Sequence, residues 1–391
     1  MFSREKKTLI AEWWWTIDRT LLAALIALLL VGVALSFAAS PPVAVRLGYS
    51  PYHFVMRHIV FFIPTIIVLI GASLLNERLA RFAALFTFVG SLILLWATPF
   101  IGFEANGASR WIIIFGQSIQ PSEFIKPSYA LIAAWLFSLS MQQKEVPGKI
   151  ISFILAGLII IPLLMQPDLG QSFLVGVTFF ALLFLAGLSW FWIFLLFGVS
   201  ATSGFGAYLF FPHFARRIDG FINQRSGGPS YQVEKALQSL LEGGWFGRGP
   251  GEATAKNYIP DAHADYVFSA AAGEFGIIFS LMLASLIGFI IIRSLSNAQN
   301  QTGLFARLGA SILAIQFGLQ SIINLAVNLN LMPSKGMTLP FVSYGGTSML
   351  AIAFSMGILL SLTRKKPHER LLSGLPPYQK GNNKMAGVSG K

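Results

Sequence analysis

Apolar runs of about twenty residues recur along this chain, and they restrict it to one class of fold. The first, Leu21 to Ala39, carries no charge at all. Wound as a helix, a run of that length spans the hydrocarbon thickness of a bilayer. Segments that cross lipid must satisfy their backbone polar groups internally, so they are helices or closed barrels. The runs here show no period-two alternation, which selects helices. Only 11% of the 391 residues are charged and 55% are hydrophobic, whereas a soluble domain carries about 25% charged residues. Most of the chain must therefore face lipid or other helices. There is no cysteine, which excludes a disulfide framework and a thiolate metal site.

The expected fold is an all-α polytopic membrane protein of about ten transmembrane helices. The spans fall near 20–39, 55–75, 79–99, 124–142, 150–165, 170–187, 189–211, 266–292, 308–329 and 347–363, with a long outer loop, residues 212–265, between spans seven and eight. A short interfacial segment, 1–18, precedes the membrane domain 19–363, and a polar tail, 364–391, reads as disordered. The first run is longer than a signal-peptide core, so it is read as a retained span. Arg4, Lys6, Lys7, Arg19, Arg78, Arg81, Lys144, Lys149, Arg293, Arg307 and the basic tail all fall on one side of this layout. By the positive-inside rule both termini are cytoplasmic, and ten spans fit that parity. Trp13, Trp14 and Trp15 beside the amino-terminal charges suit headgroup depth. The net charge of +12 does not point to nucleic acid, because the basic residues lie between apolar spans rather than in one stripe. Membrane lipids are the expected contact.

Sixteen carboxylates are present, and ionisable groups near a bilayer are functional candidates because they are expensive there. Those outside the basic face gather in four places. The first holds Asn106 to Trp111 and then Gln120-Pro121-Ser122-Glu123 with Lys126. Pro121, Ser122 and Glu123 suit a helix start, while Arg110 and Lys126 suit a pyrophosphate. The second is the turn Gln166-Pro167-Asp168-Leu169-Gly170, where Asp168 is a helix cap or a functional carboxylate. The third is the long loop, with Arg216, Arg217, Gln238, Ser239, the glycine-rich Gly243 to Gly249, and His263-Ala264-Asp265. Residues 232–242 read as an amphipathic surface helix, and the glycine-rich part lacks the pattern of a phosphate-binding loop. Composition leaves Asp265 open between a helix cap and a catalytic base. The fourth is Lys335 to Ser348, an irregular stretch with Pro340, Ser343 and three glycines at membrane depth. Such backbone is tolerated only where protein buries it or a wet cavity is present. No His, Asp or Glu spacing forms a metal-ligand set. A carboxylate with basic neighbours suits general-base work on an anionic, lipid-linked substrate.

At these four places the sequence resembles the SEDS family of bacterial shape, elongation, division and sporulation proteins. The motifs are Asn106 to Trp111 with Gln120 to Glu123, Gln166 to Gly170, Pro260 to Phe268, and Lys335 to Ser348. The resemblance covers all but the termini, and Lys335-Gly336-Met337-Thr338-Leu339-Pro340-Phe341 is more like the cell-division branch than the elongation branch. It implies a peptidoglycan glycosyltransferase that polymerises lipid II into β-1,4-linked strands on the outer face of the bacterial cytoplasmic membrane during septal wall synthesis. It further implies that Asp265 is the catalytic base. The substrate-contact candidates are Lys335, Arg110, Lys126, Arg216, Arg217, Glu123, Asp168, Gln238, Ser239, His263 and Ser343. The implied partners are lipid II, a cognate class B penicillin-binding protein and other division proteins. The resemblance fixes no cofactor, and a divalent cation, Mg or Mn, at the pyrophosphate is the one candidate. The chain departs from the family in having Asp261 and Ala264 where Glu and Thr are common, and Asn257 where a carboxylate is common. Two other readings share the same residues: a lipid II flippase, and a scaffold that activates the partner without chemistry of its own.

Overall fold

The computed structural model describes residues 9–365, apart from 106–107, 115, 144, most positions between 190 and 210, 211–218, 220–230, 250, 260–261 and 333–335. Seven helices are long and apolar enough to cross a membrane: α2 (Arg19–Ala39), α4 (His53–Leu74), α5 (Glu77–Ile101), α6 (Pro121–Gln142), α7 (Gly148–Met165), α10 (Val267–Gln299) and α11 (Leu304–Asn328). Two shorter apolar helices, α8 (Leu169–Leu185) and α12 (Gly346–Leu362), complete the set. These nine match nine of the ten expected spans. The remaining one, 189–211, lies largely outside the described residues. Short helices α1 (Leu9–Thr16) and α3 (Pro41–Arg46) flank α2, and the expected amphipathic helix of the long loop is α9 (Tyr231–Gly243).

The segment between α5 and α6, expected as a loop, is instead a three-stranded antiparallel sheet in the order β1 (Phe103–Ala105), β2 (Ala108–Ile114), β3 (Gln117–Ile119). Ile112, Ile113 and Ile114 of β2 pair with Ile119, Ser118 and Gln117. A β-branched run favours a strand, and the strand ladder satisfies its backbone where no helix can continue.

Both described ends of the chain lie at one end of the bundle. Asp18 caps α2 through Thr20 and Leu21 and also accepts from Arg293 Nε and Asn297 Nδ2 of α10, each at 2.7 Å. Burial works to raise its pKa, but the hydrogen bonds from Thr20, Asn297, Leu21 and Arg293 outweigh it and leave the carboxyl at about 2. Lys365 donates its backbone N–H to Thr16 at 3.0 Å, which brings the end of α12 to the same place. The opposite end is fixed by Lys256, whose Nζ donates to Ala38 O at the far end of α2 and pairs with the buried Glu274.

Helix α10 is broken at Gly276, where φ is 81° and ψ 179°. The glycine-rich stretch expected to bind no phosphate fills this break. Ile277 N–H donates to Gly244 O and Gly249 N–H to Glu274 O, at 2.9 and 3.0 Å. A Cβ on Gly247 would lie 2.0 Å from Glu274 O, and one on Gly276 2.4 Å from Trp245 O. Only glycine permits backbones this close. The strap thus occupies backbone groups that the break releases, which lipid could not.

Candidate functional site

The site is built where the Asp265 turn meets the loop before α12. The N-cap position of α10 is Tyr266, which makes no side-chain cap bond. The first turn of a helix still needs an outside acceptor. It comes from Asn328 at the end of α11, whose Oδ1 accepts from Ser269 N and Ser269 Oγ at 3.0 and 2.8 Å. Asp265 stands one residue before the cap position, so the capping role belongs to Asn328. The backbone carbonyl of Asp265 is gripped by two amides, Asn324 Nδ2 at 3.0 Å and Asn328 Nδ2 at 2.8 Å. Asn324 Nδ2 donates also to Met337 O at 2.7 Å. Ser343 Oγ donates to Ala264 O at 2.6 Å and accepts from Leu339 N, while Tyr344 N donates to His263 O. Turn and loop are therefore tied together through their backbone groups.

A cavity of about 380 Å³ opens on this unit, lined by Asp265, His263, Glu123, Arg110, Arg57, Trp111, Tyr344 and residues 345–348. It joins three of the four places the sequence singled out, and Arg110 ties it to the fourth, the Gln166 to Gly170 turn. Gly336 sits between the two principal charges: a Cβ there would lie 3.9 Å from both Arg110 Nη1 and Asp265 Oδ2. Its φ of 64° is in the left-handed region that glycine adopts without cost. A carboxylate and a cation thus both approach a residue with no side chain.

Arg110 is partly committed. Its guanidinium donates to Gln166 O and Pro167 O at 3.3 and 2.8 Å and stands 3.9 Å from Asp168 Oδ2. Asp168 caps α8 through Gln171 N, so that capping expectation holds geometrically. Burial pushes the Asp168 pKa up, and Arg110 works against that rise. Glu123 lies in the first turn of α6 with Pro121 at its start. Its Oε1 takes hydrogen bonds from Lys126 Nζ and Gln171 Nε2, both at 2.9 Å. Lys126 is only 2% exposed and does not line the cavity. Its charge is spent on Glu123, which makes it a buried support rather than an open anion clamp.

Arg57 of α4 has no counterpart in the sequence expectations. It lines the cavity and donates to the neutral Gln117 Oε1 at 3.1 Å. Among the described residues it makes no ion pair, so its charge is available to a ligand. His263 is neutral at ordinary pH, because burial, aided by the charge of Arg46, depresses its pKa to about 4. Its ring stacks on Phe54 at 4.6 Å, and Phe54 and His263 both pack on Tyr344.

The remaining expected contacts divide. Ser239 is fully buried and donates to Ser269 O at 3.0 Å, joining α9 to α10. Gln238 bonds Lys235 and Glu242 on the exposed side of α9. Neither reaches the cavity, so both are withdrawn as substrate contacts. Lys335, Arg216 and Arg217 lie outside the described residues. Among the described residues no three His, Asp or Glu side chains gather as a metal would require, so the Mg or Mn considered at the pyrophosphate finds no protein ligand set.

A family model described as "Cell cycle protein", covering FtsW, RodA and SpoVE, matches residues 19–368. The chain belongs to the SEDS family. A SEDS relative from Caulobacter vibrioides, "Probable peptidoglycan glycosyltransferase FtsW", is 41% identical over 94% of each chain. One of the same description from Coxiella burnetii is 31% identical over 92% of this chain and 98% of its own. Among solved SEDS structures, a chain described under "Structural coordination of polymerization and crosslinking by a peptidoglycan synthase complex" superposes with a TM-score of 0.76 at 25% identity, covering 90% of this chain and 98% of that one. Rod shape determining protein RodA of Thermus thermophilus gives 0.66 at 25% identity, covering 90% and 97%.

Proposed function

We propose that this chain is a peptidoglycan glycosyltransferase of the cell-division type, using lipid II. The observation that carries the reading is the cavity in which Asp265 and Arg110 flank Gly336, with Arg57 on the same lining. Asp265 takes the proton of the GlcNAc 4-hydroxyl of the acceptor as that oxygen bonds to the anomeric MurNAc carbon of the donor. The bond from that carbon to the pyrophosphate breaks, undecaprenyl pyrophosphate leaves, and the strand grows by one β-1,4 linkage. A leaving pyrophosphate gathers negative charge, and guanidinium groups meet it with charge-assisted hydrogen bonds. Arg57 and Arg110 are assigned that work, with Lys335 beside Gly336 as a third cation. Glu123, Asp168 and Lys126 support the clamp from below. His263 and Ser343 position the catalytic turn. No step is routed through a metal.

The domain plan follows: an interfacial segment 1–18, a membrane domain 19–363 with the outer loop 212–265, and a tail 364–391. Both termini are cytoplasmic, the cavity opens outward, and the protein works at the division septum of the bacterial cytoplasmic membrane. Its partner is a class B penicillin-binding protein, together with other division proteins. A flippase needs a charge-lined passage through the bundle. The separate cavity between α6, α11 and α12 beside Glu123, Gln316 and Gln320 is only about 20 Å³ and mainly apolar in its lining, which favours surface chemistry.

The test is polymerisation of lipid II by the purified chain, alone and with its partner, compared with Asp265→Asn. Glycan polymer from the wild type and none from the variant is expected. Polymer from Asp265→Asn at the wild-type rate would remove the base assignment, and no polymer from the wild type even with its partner would leave the flippase or scaffold reading.

A further inference from the structure

At the end of the bundle opposite the site, α5 and α6 enclose a second cavity of about 170 Å³, lined by Arg78, Arg81, Phe82, Leu85 and Trp135, beside the start of α11. Its two cations make no ion pair with any described carboxylate. The Arg81 guanidinium lies over the rings of Trp135 and Phe305, at 5.8 and 5.1 Å to the centroids. Its Nε donates to Glu77 O at 3.2 Å. That stacking fixes the plane of the fork and leaves its two terminal nitrogens for a ligand. The indole Nε1 of Trp135 is buried and has no acceptor among the described residues. A buried donor left unmade is destabilising, so an acceptor at this place would be favoured. Phe82 is 61% and Leu85 40% exposed; they form an apolar side of the cavity, turned toward lipid. Arg81 lies one turn into α5 and Trp135 two turns before the end of α6, a depth of roughly 6–10 Å at the helical rise.

We propose that this cavity binds an anionic glycerophospholipid of the adjacent leaflet, its phosphate between Arg78 and Arg81 and its acyl chains along Phe82 and Leu85. Two unpaired arginines, an unused indole donor and an apolar exit match the two halves of such a molecule. A positive charge serving only to orient the chain would need neither the stacked geometry nor the cavity. The site joins the helices whose other ends carry Glu123 and the Asn324–Asn328 grip, and it does not depend on the reaction assigned above.

The experiment is native mass spectrometry of the full chain, delipidated and titrated with phosphatidylglycerol, phosphatidylcholine or inorganic phosphate. Arg78→Gln, Arg81→Gln and Trp135→Phe are compared with Lys149→Gln, which removes a charge from the same face outside the cavity. Thermal unfolding confirms that each variant is folded. Phosphatidylglycerol is expected to bind tightly and phosphatidylcholine weakly. The double arginine variant should lose about thirtyfold in affinity, at about 1 kcal/mol per basic residue. Trp135→Phe should lose several-fold, and Lys149→Gln should match the wild type. Equal binding of the two lipids, or an equal loss in Lys149→Gln, would reduce the effect to general surface charge and overturn the site. Displacement of the lipid by millimolar phosphate would make it a phosphate site rather than a lipid site.

Discussion

Asn328→Ala is the substitution whose cost can be worked most directly from the contacts. Asn328 is fully buried; its oxygen caps the first turn of α10 through Ser269, and its amide holds the carbonyl of Asp265. Loss of this cap leaves the buried Ser269 N–H without an acceptor, which costs roughly 1–3 kcal/mol. The Asp265 carbonyl keeps Asn324, so little more is lost there. The expected loss is about 1–3 kcal/mol of stability, which thermal unfolding in detergent reads. The catalytic effect is separate, because the turn carrying Asp265 is released on one side. Misplacement of a reacting group by an ångström costs up to about a hundredfold, and kcat is expected to fall at least about tenfold with KM for lipid II little changed. Asn328→Asp keeps the acceptor for Ser269 but turns a second oxygen toward the Asp265 and Asn324 carbonyls, so it should lose at least as much stability as Asn328→Ala and also lose kcat. Gln316→Ala, on the same face of α11 but bonded to Thr178, should leave kcat alone. A folded Asn328→Ala with wild-type kcat, or a loss equal to that of Gln316→Ala, would refute the positioning argument.

Three further outcomes are expected. Arg57→Gln should lower kcat/KM about 10- to 100-fold by removing a charge-assisted bond worth about 1.5–3 kcal/mol, with Arg57→Lys partly restoring it, measured by lipid II titration. Gly276→Ala forces a Cβ to 2.4 Å from Trp245 O at a φ of 81°; it should destabilise by at least about 2 kcal/mol, read as a fall in melting temperature. His263 titrates near 4 in the folded protein and near 6.5 when exposed, so the unfolded chain takes up the proton first as pH falls. Its contribution is therefore constant above about pH 6.5 and declines toward pH 4. Melting of the wild type should drop more steeply than that of His263→Gln across that range, and parallel curves would contradict the assignment.

The membrane helices were legible because long uninterrupted apolar runs have few alternative solutions; most described spans begin and end within a few residues of those expected, while α10 runs on to Gln299 instead of ending near 292. The β-sheet was not. Its isoleucine run is too short to separate from the end of a helix, and its pairing depends on partners that only the turn brings close. At the site, sequence singled out Asp265, Arg110 and Glu123 as charges beside apolar runs. Arg57 escaped because one arginine at the start of a span reads as an interfacial flank. Gln316, Gln320, Asn324 and Asn328 recur every four residues on α11, a polar stripe that helical spacing could have exposed but mean hydropathy conceals. Lys126 misled for the opposite reason: a lysine near a membrane edge looks available until its partner three residues away is placed beside it.

The break in α10 gives that helix the mechanics of a jointed lever. Its short arm, 267–275, is bolted to α11 and carries the turn with Asp265, while its long arm ends at Asp18 on the other side of the bilayer. The glycine strap forms a collar around the joint. Leu281 and Met282 face outward just beyond it, 59% and 66% exposed. The strap is bonded to both arms, to Gly273 and Glu274 on one side and to Ile277 and Ile278 on the other, so a neighbour pressing there meets a braced joint. The protein can thus accept lateral load at the bend while the turn with Asp265 stays in register.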